Sequence, residues 1–338
     1  MNFDIWSLMI NVGIIYFSVG IGFFIRKVSS TNKKVIQKLF TTLLLYFIFP
    51  FLIITSILNA QFSTDLVEII FVIIFSFVVM LSGVVIIWLY LRSKDIKSDQ
   101  RATTILCTGF PNSIFLPFPI IILIIGEPGI IYATFFAIGF TMIYNTLGAW
   151  IAIKNSKKFD KKDQKYISNM VKKILFFPPT FFLLIGMLIK LVFKPKNTLS
   201  LLTWIPIDLF LISEIITFLS NLSLLLALIV VGLTFEMSFD SLKNINLLES
   251  SIVRLLIAPT IGLLTIFVGI YFGLSITRII AIPIMIQAIS GPAVANIAFA
   301  DAFGLKTEIA STYITVITAL SLIILVPVLS VLLILFPV

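Results

Sequence analysis

The stretch TGFPNSIFLPFP (residues 108–119) decides how this chain is read, because it sets three prolines and an asparagine into an otherwise apolar run. Inside a helix each proline removes a backbone donor and clashes with the preceding turn, at about 3 kcal/mol or more. Hydrocarbon offers no water to the groups set free, so a break within a membrane-crossing segment must be sheltered by protein. The surrounding sequence makes the membrane reading the natural one. Of 338 residues, 60% are hydrophobic, only 12% are charged and 33 are phenylalanine. Runs of about 20 apolar residues recur, each long enough to cross about 30 Å of hydrocarbon as a helix.

The expected fold is therefore an all-α polytopic membrane protein. Ten spans are expected, at about 5–25, 35–58, 66–91, 102–125, 129–153, 174–193, 209–235, 247–272, 279–300 and 309–336. The first run follows Asp4 rather than a basic region and is longer than a signal-peptide core, so it reads as a retained span. Cys107 is the single cysteine and histidine is absent, which excludes an intramolecular disulfide and histidine-based zinc sites, bases and proton relays. No nucleophile, base or metal cluster points to an enzyme, and no cofactor is expected.

One long polar connection, KNSKKFDKKDQKYISNMVKK at 154–173, divides the chain into 1–153 and 174–338, with five spans each. An odd number of spans per half means that two halves of like fold must be inverted relative to each other, a plan common in secondary transporters. Basic residues are retained on the cytoplasmic side. Twenty of the 24 Lys and Arg residues fall in alternate loops, with Arg254 counted among them, which puts both termini outside the cell membrane. This asymmetry accounts for the net charge of +9 without a nucleic-acid partner. The basic connection is also suited to anionic lipid headgroups or a regulatory partner.

The two halves carry matching breaks. The fourth span has Gly109, Pro111 and Asn112; the ninth has SGPAVAN, with Gly291, Pro292, Ala293 and Asn296. Each span then ends at a glycine-bearing turn, Gly126 or Gly304. A helix restarting after each proline, capped by Asn112, Ser113 or Ser290, would present unpaired N–H groups and about half a positive charge near the midplane. Two such ends meeting would hold an anion with no basic side chain from the fourth, fifth or ninth span. Phe110 and Phe115 supply apolar contact, with Pro117 and Pro119 shaping the outer half. Asn296 either faces the same cavity or bonds across to a neighbouring helix. Asn145, near Gly148 in the fifth span, is either a ligand contact or a bond between helices. Gln287 and Ser113 complete the candidates, and Asp301 is the candidate for ion coupling. Pro50, Pro178, Pro179, Pro259 and Pro327 read as kinks or end markers.

Residues Phe110–Trp150 and Gln287–Leu329 resemble the fourth and fifth, and the ninth and tenth, spans of the auxin efflux carrier family; YFIFPFLIITSIL in the second span also fits. The resemblance implies a ten-span inverted repeat like that of bile acid/sodium symporters, with broken, crossing helices four and nine. It implies a scaffold of spans one, two, six and seven, with a homodimer contact, and a transport domain of three to five and eight to ten that moves as an elevator. It also matches Asn112 and Asn145 to substrate-facing asparagines and marks the crossover at Pro111 and Pro292. The second break reads SGPA where the family's common pattern is M-P-S-A, and the long central loop of the larger plant members is absent. The expected cargo is a small organic anion, a malate-like dicarboxylate or an auxin-like monocarboxylate. Alternatives are a sodium-coupled symporter of the same fold and a membrane receptor without transport.

Overall fold

The computed structural model describes residues 5–28, 33–59, 66–155, 178–193, 209–236 and 246–336. Among them the regular elements are all helical: α1 (Ile5–Val28), α2 (33–59), α3 (Leu66–Arg92), α4 (Ser98–Gly109), α5 (Pro117–Ile124), α6 (Glu127–Asn155), α7 (Pro178–Phe193), α8 (Leu209–Leu233), α9 (Leu247–Tyr271), α10 (Arg278–Ala288), α11 (Ala295–Ala302) and α12 (Thr307–Leu335). Six of these, α1, α2, α3, α6, α9 and α12, are long and apolar enough to cross a membrane, and α7, α8 and α10 contain shorter apolar helices. The expected fourth and ninth spans are each interrupted, as α4 with α5 and as α10 with α11. Most of the basic connection at 154–173, along with Lys243, lies outside the described residues.

Large apolar side chains cover the outer faces: Phe17, Phe24, Phe47, Leu188, Phe193, Ile323 and Ile334 are all exposed. Such extensive apolar surface suits hydrocarbon surroundings rather than water. Between helices, glycine sets the closest approaches, as expected where lipid supplies no hydrophobic drive for helix association. A Cβ on Gly232 of α8 would stand 2.0 Å from the Val19 carbonyl oxygen of α1, and one on Gly22 would stand 2.1 Å from the Ile229 carbonyl oxygen. These obstacles are backbone and cannot swing away. Gly232→Ala is therefore expected to force α1 and α8 apart at about 1–3 kcal/mol. A thermal melt of the purified protein in detergent would check this, with an unchanged midpoint counting against the contact.

The prolines shape α2 and α9 as the sequence suggests, through a specific device. Residues 44–48 and 253–257 wind as π-helix, each segment ending two residues before a proline, Pro50 or Pro259. The wider turn accommodates a ring that would otherwise collide with the carbonyl four residues back. Pro178 begins α7, and Pro327 lies within α12. A third π segment, 144–148 in α6, contains no proline; it carries Tyr144 and Asn145 and ends at Gly148.

The buried core around α3 fixes the first break. A Cβ on Gly83 would be 3.2 Å from the Cα of Gly109, and one on Gly109 would be 2.3 Å from Val84 Cγ2, so the last residue of α4 is pressed against α3. Beyond α5 the chain turns at Gly126 with φ 84°, and beyond α11 at Gly304 with φ 64°. This left-handed region is one that glycine enters without steric cost, which explains both glycine-bearing turns.

Candidate functional site

The two breaks touch. Pro111 and Pro292 form an antiparallel bridge, the Asn112 N–H donating to the Gly291 carbonyl at 2.7 Å and the Ala293 N–H to the Phe110 carbonyl at 2.9 Å. Opposed residues in an antiparallel ladder alternate between bonded and non-bonded pairs. The prolines occupy a non-bonded pair, so their missing donors cost nothing, and the residue after each one makes the bond. The sequence thus places proline where a bridge is needed and a helix is not.

The bridge also moves the helix starts. The expectation of a helix directly after Pro111 and Pro292 is corrected: α5 begins at Pro117 and α11 at Ala295. Residues engaged in the bridge hold extended backbone and cannot enter a helix until the chain has left it. Asn112 turns the first break, its Oδ1 accepting from the N–H of Phe115 at 3.1 Å and of Ile114 at 3.4 Å. Pro117 is the first residue of α5, where a missing N–H is harmless. Ser290 caps nothing downstream; its hydroxyl donates back to the Ile286 carbonyl at 2.8 Å.

Most of the expected site residues gather here. Phe110, Pro111, Asn112, Ser113, Gly291, Pro292 and Ala293 are buried at or beside the bridge. Gln287, fully buried in α10, staples the first break: its Nε2 donates to the Ser113 carbonyl at 2.8 Å and to the Ala133 carbonyl at 2.9 Å. Of the two roles open for Asn296, the structure shows a bond between helices. Its Oδ1 accepts from the Tyr144 hydroxyl at 2.9 Å, and its Nδ2 donates to the Leu106 carbonyl at 3.3 Å. Asn145 donates to Thr141 in its own helix at 2.9 Å. Phe115 is half-buried, its ring 6.3 Å from that of Phe49 in α2. Asp301 is exposed near the far end of α11, outside the buried crossing.

Several polar atoms at the crossing are buried without a hydrogen-bond partner among the described residues: Asn112 Nδ2, Thr108 Oγ1, Thr318 Oγ1, Gln287 Oε1 and Arg254 Nε. Buried polar groups are otherwise almost always satisfied. A donor such as the Asn112 amide, held in place by bonds to its other atom, is a natural ligand for a carboxylate oxygen.

Tyr144 and Arg254 were not foreseen as site residues. Tyr144 packs its ring 5.1 Å from Phe110 and 4.6 Å from Phe299, tying α6 to both breaks. Tyr144→Phe keeps these rings but leaves Asn296 Oδ1 buried without its donor, so a loss of about 1–3 kcal/mol in stability is expected. Calorimetry on the purified variant would check this, and a wild-type midpoint would refute the bond's importance. Arg254, expected at a loop edge, is corrected to a residue of α9 with no exposed surface. Its Nη1 donates to the carbonyls of Gly109 at 3.3 Å and Thr108 at 3.4 Å, and its Nη2 donates to that of Ala288. A lone cation inside the apolar run SIVRLLIAP was the signal for it.

Comparison with known proteins identifies the family. The model of a family described as membrane transport protein matches residues 7–329. An uncharacterized transporter of Methanothermobacter thermautotrophicus is 26% identical over 233 residues, which are 67% of this chain and 68% of that protein.

Proposed function

Because the chain belongs to the membrane transport protein family, we propose that it is a secondary transporter of a small organic anion, a malate-like dicarboxylate or an auxin-like monocarboxylate. The observation that carries this reading is the crossing itself: two interrupted spans joined at Pro111 and Pro292, with the Asn112 amide as a buried donor lacking a partner among the described residues. The starts of α5 and α11 lie just beyond and bring the partial positive charge of two helix N-termini, while the N–H groups of Phe118, Asn296 and Ile297 are engaged by the carbonyls of Ile114, Ala293 and Val294. Asn112 would bond the carboxylate, with Phe110 and Tyr144 as its apolar surroundings. Asn296 and Gln287 hold the surrounding helices in register, whereas Asn145 bonds within α6, and each is an amide that a moving substrate could borrow.

The fold that goes with this function has ten spans in two inverted halves, with α1, α2, α7 and α8 as scaffold and the other helices as the moving domain. Support comes from the glycines. The close contacts at Gly22 and Gly232 join α1 to α8, and Gly186 packs on Ile57, joining α7 to α2. Those at Gly83, Gly109, Gly139, Gly262 and Gly291 join helices of the other group to one another. Between the groups run side-chain contacts without a glycine-set backbone approach: Asn11 donates to the Leu123 carbonyl at 3.0 Å, Tyr16 donates to the Leu322 carbonyl at 2.8 Å, and the Phe49 ring lies 5.5 Å from that of Phe118. Locked interiors and an exchangeable interface are what an elevator motion requires. With the cytoplasm negative, outward movement of an anion is favoured by about 2.3 kcal/mol per charge per 100 mV.

The test is uptake of labelled malate and of labelled indole-3-acetate by liposomes containing the purified wild-type chain, with and without a sodium gradient. Saturable uptake independent of sodium is expected for at least one of them. Uptake that requires sodium would instead indicate a symporter, and no saturable flux of either would remove the organic-anion reading.

A further inference from the structure

Arg254 is the largest fully buried side chain among the described residues, and it lies in the π segment of α9, against both interrupted spans. Burying a guanidinium costs several kcal/mol unless it is compensated. No carboxylate compensates it among the described residues; its partners are the carbonyls of Thr108 and Gly109, which end α4, and of Ala288, which ends α10. Each of these is the negative end of a helix, carrying about half a negative charge. The opposite, positive ends at the crossing belong to α5 and α11.

Four helix ends therefore meet here, two positive and two negative, and alone they would cancel. The cation changes that balance, because it neutralises only the negative pair and leaves the positive pair unopposed. We propose that Arg254 is the source of the crossing's net positive charge, and so the residue that sets its preference for anions, although it is placed to act through the helix ends rather than by touching the substrate. Its Nε is buried with no hydrogen-bond partner among the described residues, so hydrogen bonding compensates the guanidinium only in part. A glutamine of similar length could donate to one of these carbonyls, but would bring no charge. A lysine would bring the charge, but could not span both helix ends with a planar fork.

This inference deepens the proposed anion site and rests on it, but it is testable without a substrate. A cysteine is introduced at Ala295, the exposed first residue of α11, in a background with Cys107→Ala. Its reaction rates with two methanethiosulfonates, one bearing a sulfonate and one a trimethylammonium, are measured in detergent and expressed as a ratio normalised to free 2-mercaptoethanol. Both reagents attack the same thiolate, so the ratio reports local potential and not the amount of folded protein. With Arg254 intact the ratio should favour the sulfonate by about tenfold or more, the order of effect that an unscreened unit charge nearby has on reagents of opposite sign at an intermediate dielectric. Arg254→Gln should return it to the free-thiol value, and Arg254→Lys should keep most of it.

An equal ratio in the wild-type and Arg254→Gln backgrounds would overturn the proposal and leave Arg254 a strut. Should the glutamine variant fail to yield monodisperse protein, the Arg254 background decides alone: a ratio at the free-thiol value overturns the proposal, and a sulfonate preference of tenfold supports it. Failure of the wild type to take up any organic anion would remove the organic-anion reading, while the ratio would still decide the charge of the crossing.

Discussion

Asn112→Ala is expected to reduce organic-anion uptake to less than about a tenth of wild type while leaving a folded, membrane-inserted protein. Losing the Oδ1 bonds to Ile114 and Phe115 should cost only about 1 kcal/mol, the usual cost of a lost cap. The loss of transport should be larger, because a hydrogen bond to a charged ligand is worth about 1.5–3 kcal/mol. Asn112→Asp separates the two effects. It keeps the acceptor that turns the chain but replaces the free donor with an oxygen, so its uptake should be no better than that of the alanine variant. Recovery of transport in the aspartate variant would mean that the turn matters and the amide donor does not.

The second large effect is expected at Gly291. A Cβ there would stand 2.4 Å from Thr318 Oγ1, 2.6 Å from Thr318 Cα and 2.9 Å from Thr318 N, so α12 runs directly against the bridge. Gly291→Ala should cost about 3 kcal/mol or more, since the chain must shift and the bond from Asn112 N–H to the Gly291 carbonyl must stretch with it. The diagnostic result is a failed rescue. Thr318→Ala removes the hydroxyl but leaves the two backbone atoms, so the double variant should melt close to Gly291→Ala alone. A double variant with wild-type stability would show that α12 can recede from the crossing.

Much of this was legible in the sequence because the strongest local signals were also the decisive ones. Pro111 beside Gly109 and Asn112, and Pro292 beside Gly291, combine a missing donor with poor helix formers, and Gly126 and Gly304 mark turns because glycine enters positive φ without steric cost. Apolar periodicity could not say what the broken stretches would do instead, since pairing Pro111 with Pro292 joins residues far apart in the chain. That pairing is why α5 and α11 begin several residues later than local capping rules suggest. Arg254 was misread for a different reason. Counting cations near span ends treats any arginine early in an apolar run as interfacial, whereas here two helix C-termini provide an internal partner that no local window contains. Asn296 was recognised as important, but its bond to Tyr144 depends on α6 lying across both breaks.

The central claim, that the crossing is where the anion binds, is tested most directly by hydrogen–deuterium exchange on the wild-type protein with and without saturating malate. Protection that appears with ligand in peptides covering residues 110–118 and 290–298, together, is the predicted result. Ligand-dependent protection elsewhere, with both of these segments unchanged, would contradict it.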